Sequence, residues 1–320
     1  MALFSISADK ATGPDGFSAS FFQSNWGIIG PAICKEIRNF FILGNMPQSV
    51  NETYVRLIPK GLGLRNVSDY RPIGLCSVMY KIIAKMLTKR LKPILTNLIS
   101  ESQSAFVPEK AIADNVLITD EVLHFLKSSL AKKHCSMAVK TYMSKAYDML
   151  EWEFIRLVLK KFGFHETWIK WVMECISTVS YSYLVNESPR GRVNLQRGIR
   201  QGDPLSSYIF ILCSEVLSGL CRKVQLEGRL QGLRVSTRSP RVNHLLFADD
   251  TMFFCKTNRI NIEALKSIVK EYEAASGQCI NKEKSAITFS CKAPQELKNK
   301  VKAELSITQE GGVGKYLGLS

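Results

Sequence analysis

The stretch His244–Phe254, HLLFADDTMFF, sets two carboxylates, Asp249 and Asp250, side by side inside an otherwise apolar run. A buried charge is costly unless it is paired or binds a cation, so this run is not an ordinary core strand from end to end. Successive residues of a strand face opposite sides of a sheet, and adjacent aspartates can therefore serve one site only at a turn. The flanks HLLFA and TMFFC fit the arms of a tight hairpin with the acidic pair at its tip. Two carboxylates held there repel each other unless a cation neutralises them. Hard oxygen ligands suit Mg2+, and paired ions roughly 3.5–4 Å apart align nucleophile and leaving group in phosphoryl transfer. Taken alone, ADD fits a solvent-exposed turn equally well, so the rest of the chain has to decide.

The charge balance narrows the choice. The 320 residues carry a formal net charge of +15, more than solubility requires, and a field of that sign attracts polyanions. The excess is concentrated: between Arg56 and Lys92 nine basic residues face only Asp69, a local net of +8. No Trp or Phe is interleaved with these lysines as a membrane-surface helix would need, which favours nucleic acid over a bilayer. No uninterrupted run of about 18 apolar residues marks a membrane span, and the amino terminus lacks the layout of a secretory signal. Nine scattered cysteines without CxxC pairs read as reduced thiols of an intracellular protein, and the four histidines form no zinc motif.

Periodicity gives a mixed order of elements. Residues 16–45 read as two helices broken near Gly30-Pro31, followed by strands at 52–60 and 69–77. A helix over 78–95 sets Lys81, Lys85, Lys89 and Lys92 opposite Ile82, Ile83, Met86, Leu87 and Leu91. That pattern is equally an ordinary amphipathic helix with a solvated basic face. Further helices are predicted at 114–133, 151–164, 167–178, 201–225 and 261–277, with strands at 136–144, 179–186, 285–290 and 315–320. Asp203 is the expected N-cap of the long helix, with Pro204 its first residue, and Gly277 is the expected C-cap of the last. Gly202 offers a place where another backbone or a base can approach, and the helix start beside it can hold an anion.

In their order along the chain, KATGPDGFSASFFQSNW, RLIPK, DYRPIGLCSVMYKIIAKMLTKRLKPIL, LISESQSAFVP, MSKAYDMLEWEF, RGIRQGDPLSSYIFILCSEVLS, HLLFADD, SGQCINKEKSAITFS and YLGL resemble the reverse transcriptase domain of a LINE-type, non-LTR retrotransposon of the sort abundant in plants. The resemblance implies an α+β chain with the fingers and palm of a right-hand polymerase and no thumb. It divides the chain into an N-terminal extension and fingers over 1–135 and a palm over 136–320, together one reverse transcriptase domain from about residue 50. It implies RNA-templated DNA synthesis with Mg2+, or Mn2+ in its place. The implied partners are an RNA template, an RNA–DNA hybrid and deoxynucleoside triphosphates, with no membrane, in the nucleus. Oligomeric state is left open.

Residue by residue, the resemblance makes Asp249 and Asp250 metal ligands. Lys60 and Arg71 are placed near the incoming triphosphate and template, where a guanidinium fork suits phosphate. Lys110 stands where the family has an arginine in a phosphate-facing fingers loop. Gln201 and Gly202 support template and nucleotide. Tyr147 closes the pocket beneath the sugar and excludes a 2′-hydroxyl, a role compatible with core packing. Lys284 is a proton donor to the leaving pyrophosphate, although an exposed lysine of no catalytic role is the plainer reading.

One element of the pattern is missing. The strand before SKAYD carries, in the family, an aspartate that ligates both ions, and here Tyr142 occupies that position in KTYMSKAYD. A phenol with pKa about 10 brings one neutral oxygen at pH 7. Three carboxylates against two Mg2+ leave a net charge of about +1, and two leave about +2, with no bridge between the ions. Asp148 could replace the ligand only after local rearrangement. SAFVPEK puts Glu109 where a glycine is usual, and Ser207 replaces a proline in QGDPLSS. The expectation is a truncated, degenerate copy with impaired or no polymerase activity, the alternative being a non-catalytic nucleic-acid-binding remnant or maturase-like module.

Overall fold

Hydrophobic stripes and their capping residues account for most of the elements. In a computed structural model that describes residues 2–63 and 65–311, the chain forms two units, Met1–Ile94 with Leu150–Ile209, and Leu95–Met149 with Phe210–Ser320. The strand expected at 315–320, including YLGL, lies outside the described residues.

The first unit begins with α1 (Ala19–Ser24) and α2 (Trp26–Leu43), then β1 (Glu52–Pro59), β2 (Tyr70–Cys76) and α3 (Val78–Leu91). The break falls at Asn25, and Pro31 lies inside α2. The buried row Gly30, Ile33, Ile37 and Phe40 runs on past the proline, so tertiary burial overrides local propensity there. Ser77 caps α3 by accepting from the Tyr80 N–H at 3.2 Å, and Ile82, Ile83, Leu87 and Leu91 form its buried side.

The chain then enters the second unit through α4 (Leu95–Leu98), α5 (Ile112–Ser128) and β3 (Ser136–Ser144). It returns to the first for α6 (Trp152–Lys161), α7 (Glu166–Ser177), β4 (Ser180–Val185) and β5 (Ser188–Asn194). These complete a four-stranded sheet ordered β2-β1-β4-β5, with β1 antiparallel to β2 and parallel to β4. Asn186 and Glu187, at φ 49° and 60°, make the left-handed two-residue turn that right-twisted hairpins favour. The strand β5 is exposed along its whole length, so SPRGRVN offers no alternation from which a strand could be read.

The helix α8 (Pro204–Leu226) leads back to the second unit, which finishes with β6 (His244–Phe247), β7 (Asp250–Lys256), α9 (Arg259–Ser276), β8 (Cys279–Ile280), β9 (Ala286–Phe289), α10 (Gln295–Leu305) and β10 (Gln309–Glu310). Asn258 caps α9 by accepting the Asn261 N–H at 2.9 Å, and Gly277 ends it at φ 76°. Only Val301 of α10 is buried, so no apolar stripe announced that helix. Despite the charges and hydroxyls scattered through it, α8 is long and apolar enough to cross a bilayer, but 67% of its most apolar window is buried, as in a core helix.

The second sheet runs β10-β9-β3-β7-β6, with β8 pairing to β3. On one face Ala138, Leu245, Met252 and Phe254 pack with Val122, Leu123 and Leu126 of α5. Strand alternation carries that face onward from Ala138 to Lys140 and Tyr142, and from Phe254 through Met252 to Asp250.

Candidate active site

The acidic stretch is a hairpin. Phe247 pairs with Asp250 across β6 and β7, leaving Ala248 and Asp249 as a two-residue loop. Ala248 adopts φ 50°, so a small residue meets the left-handed demand of the turn. Asp249 is exposed in the loop, and Asp250 is the half-buried first residue of β7. On the other side of β7, Asp250 pairs directly with Tyr142 of β3. Tyr142, Asp250 and Phe247 thus form one row across three strands on one face of the sheet, and the phenol is the direct neighbour of the carboxylate.

Two buried polar side chains hold the hairpin in place. The Gln103 Oε1 accepts from the Ala248 N–H at 3.2 Å and the Ala105 N–H at 2.9 Å, and its Nε2 donates to Ser214 Oγ at 3.2 Å. Asn115 Nδ2 donates to the Leu246 carbonyl at 2.9 Å. Neither residue was singled out from the sequence. Their signal was slight, an amide in SESQSAFVP and another in the first turn of α5, among many polar residues.

The site is electrostatically loaded. Partial desolvation raises the Asp249 carboxyl above the usual range. Desolvation, and then the charge of Asp249, push Asp250 up to about 6, while Lys140 pulls it down. Lys140 is 2% exposed, and its ammonium lies 4.7 Å from the centroid of the Tyr142 ring. Because the folded-state value of Asp250 lies above its unfolded value of 3.8, this group stabilises the fold at low pH and loses that contribution as pH rises through about 6.

A buried histidine of the same hairpin has the opposite sign. His244 bonds to Asn243 Oδ1 through Nδ1 and to Ser218 Oγ at 3.0 Å through Nε2. Burial, and then the positive charge of Arg222, lower it from 6.5 to about 4. The folded state resists protonation, so its contribution is complete above the unfolded value of 6.5 and is lost as pH falls through about 4. The full loss is about 3 kcal/mol, and His244→Gln should flatten the stability profile across that window in denaturation at stepped pH. A profile as steep as wild type would exclude His244 as the source.

Other predicted residues of this unit have definite places. The ring of Tyr147 stacks parallel on Phe210 at 4.8 Å. Gln278 supports that segment, donating to the Ala146 carbonyl at 2.7 Å and accepting from the Tyr272 hydroxyl at 2.6 Å. Lys284 follows β8 in a turn tied to β3: Asn281 N–H donates to the Tyr142 carbonyl at 2.7 Å, and Lys284 N–H to Asn281 Oδ1 at 3.0 Å, with the lysine side chain exposed. Lys110 donates to the carbonyls of Ser100 at 2.6 Å and Ile99 at 3.3 Å, so contact with phosphate would cost it those bonds. Its neighbour Glu109 sits at φ 66°, a conformation that suits glycine and strains an acidic side chain.

The remaining four lie in the first unit. Arg71 pairs with Ile58 near the loop end of the β1–β2 hairpin, and Lys60 follows β1 with its N–H on the Asp69 carbonyl at 2.9 Å. Both residues are exposed. The Gln201 carbonyl accepts from the Gly74 N–H at 2.9 Å, which docks the Gln201–Gly202 turn on β2. Gly202 has φ 92°, so backbone conformation itself demands the glycine. Behind the turn, Arg200 is buried. It donates to Asn51 Oδ1 at 2.6 Å and Cys76 Sγ at 3.2 Å, and lies 4.0 Å over the ring of Tyr80. Asp203, also buried, accepts from the Tyr80 hydroxyl at 2.7 Å, Ser206 Oγ at 3.2 Å and, as the N-cap of α8, the Leu205 N–H at 3.2 Å.

The two-ion arrangement implied by the sequence resemblance does not fit these residues. Among the described residues no group of three or more His, Cys, Asp or Glu is gathered to hold a metal ion. The place opposite Asp250 holds a phenol, and a buried ammonium lies over that ring.

The sheet of the second unit carries a paired-aspartate hairpin beside its central strand, and in the first unit the QGD turn docks on β2. The chain belongs to the reverse transcriptase family: the profile described as "Reverse transcriptase (RNA-dependent DNA polymerase)" matches residues 58–319. It is the reverse transcriptase domain of a non-LTR retrotransposon. It is 30% identical over 279 residues to the transposon TX1 uncharacterized 149 kDa protein of Xenopus laevis, covering 87% of this chain and 21% of that protein. It is 26% identical over 280 residues to the Retrovirus-related Pol polyprotein from type-2 retrotransposable element R2DM of Drosophila melanogaster, covering 87% of this chain and 25% of that protein. A segment of 69 residues, 22% of this chain, is 67% identical to an uncharacterized mitochondrial protein of Arabidopsis thaliana, covering 57% of that protein. The chain thus spans only part of the length of these relatives.

Proposed function

We propose that this chain is a plant-derived reverse transcriptase domain that keeps the nucleic-acid-binding surfaces of its family and has lost most or all of its polymerase activity. The observation that carries the reading is the register of β3 on β7, which sets Tyr142 directly against Asp250 where a third carboxylate is required. The plant assignment is supported by the 67% identical Arabidopsis segment. In this reading Asp249 and Asp250 remain from a Mg2+ site, and Mn2+ would be the better tolerated ion because it accepts a wider range of donors than Mg2+. Arg71 and Lys60 contact phosphate, Gln201 and Gly202 face the template, Tyr147 forms the floor beneath the sugar, and Lys284 is the remaining candidate proton donor. The natural ligands are an RNA template, its hybrid with DNA and deoxynucleoside triphosphates. All nine cysteines are free thiols, which supports an intracellular setting, with the nucleus the proposed compartment.

Binding without catalysis, as in a maturase-like RNA cofactor, is the second reading. It is favoured by the basic stretch Arg56–Lys92, which loses nothing when Tyr142 replaces an acid. Phosphate contacts release counterions, so affinity for an RNA–DNA hybrid should fall with a slope of about −5 in log K against log salt. Fluorescence anisotropy between 50 and 300 mM salt is the measurement, and flat or absent binding would contradict both readings.

A further inference from the structure

The geometry points to Lys140 as the resident cation of the acidic hairpin: its ammonium, held by the Tyr142 ring and the Asp250 carboxylate, fills the electrostatic role of a divalent ion and keeps such ions out. The inference rests on the reading of Asp249 and Asp250 as former ion ligands. It explains how a site that has lost a carboxylate still balances its charge.

Three observations meet at this residue. Lys140 is 2% exposed, and a charge so buried needs compensation close by. In its own row of the sheet it lies between Ala286 and Met252, both apolar. The adjoining rows offer Ala138, Phe254 and Thr288 on one side, and on the other Tyr142 and Asp250, of which Asp250 alone carries an anion. Asp250 is the diagonal neighbour of Lys140, a relation that long side chains span readily.

The second observation is aromatic. The ammonium lies 4.7 Å from the Tyr142 ring centroid, within the range in which a ring face attracts a cation. An aspartate at position 142 offers no such face and draws the ammonium by charge instead, in competition with any metal ion. Tyrosine therefore does two things here: it removes an ion ligand and it gives Lys140 a neutral seat beside Asp250.

The third is electrostatic. The ammonium belongs to the same sheet face as Asp250, one row away. A divalent ion bound at Asp250 would meet the field of that ammonium at a distance of a few ångströms, where repulsion between like charges is large.

The test is Mn2+ binding alone, followed by electron paramagnetic resonance of the free ion, on the full chain at fixed pH 7.5. Wild type is expected to bind weakly. Lys140→Met and Lys140→Gln should each tighten binding roughly tenfold or more, and Lys140→Arg, which keeps the charge, should not. Circular dichroism establishes that each variant is folded, and the two neutral variants differ in packing, so that agreement between them excludes a packing artefact. Equal affinities of wild type and both neutral variants, or tightening by Lys140→Arg to the same degree, would overturn the role of Lys140. Adding Asp250→Asn to Lys140→Met separates the two claims. Loss of the gained affinity locates the ion at the hairpin and supports both. Retention of the gain places the ion elsewhere and removes the reading of the hairpin itself.

Discussion

Tyr142→Asp is expected to raise primer extension on poly(rA)/oligo(dT) with Mg2+ by about 10²–10³-fold over wild type, because an ionic ligand supplies several kcal/mol of charge stabilisation and each 1.36 kcal/mol is tenfold in rate. The substitution places a carboxylate directly across the ladder from Asp250, without moving any other strand. Asp249→Asn in that background should abolish the gain. The gain is also expected to be partial in Mg2+ and larger in Mn2+, whose coordination is less demanding. Activity of the unmodified chain at the level of the variant would show that a phenol serves where a carboxylate was thought necessary.

The second large effect is on stability. The Arg200 guanidinium and the Asp203 carboxylate are both buried, joined through Tyr80, whose ring carries the cation and whose hydroxyl donates to the acid. Removing one charge from such a set leaves the other uncompensated, so Asp203→Asn is expected to cost about 3–5 kcal/mol in chemical denaturation. The double change Arg200→Met with Asp203→Asn should cost less than the sum of the single changes, by about 1–3 kcal/mol. The same cluster stands behind the turn whose Gln201 carbonyl docks on Gly74, so loss of order there should weaken template affinity before the rest of the unit unfolds. Strict additivity would mean that the two charges do not sense each other.

These two sites differ in how far the sequence reveals them. The hairpin at Asp249–Asp250 was legible because two apolar arms around adjacent acids leave one plausible geometry. The contact of Tyr142 with Asp250 followed from matching motifs, and the strand register supplies its physical form. Arg200 was not legible. In RGIRQGD two arginines stand three residues apart with nothing in the sequence to tell them apart, yet Arg197 lies at the surface, paired with Glu151 at 3.1 Å, whereas Arg200 is buried. Lys140 was hidden for a related reason: within MAVKTYM a lysine interrupts an apolar strand, and only the register shows which acid compensates it. Glu109 was read as standing where a glycine is usual, and its φ of 66° adds a conformational cost that composition could not show. Elements with no buried stripe, β5 and α10, left no pattern to read. A linear reading also yields contiguous segments, whereas both compact units are assembled from separated stretches of chain.

The central claim is a site for paired divalent ions that has lost one of its three acids. It is tested most directly by counting Mn2+ ions from anomalous diffraction in crystals grown with an RNA–DNA hybrid and a non-hydrolysable deoxynucleotide. The expected count at the hairpin is at most one ion in wild type and two in Tyr142→Asp. Two ions in the wild-type protein with the Tyr142 oxygen among their ligands, or none in either protein, would contradict it.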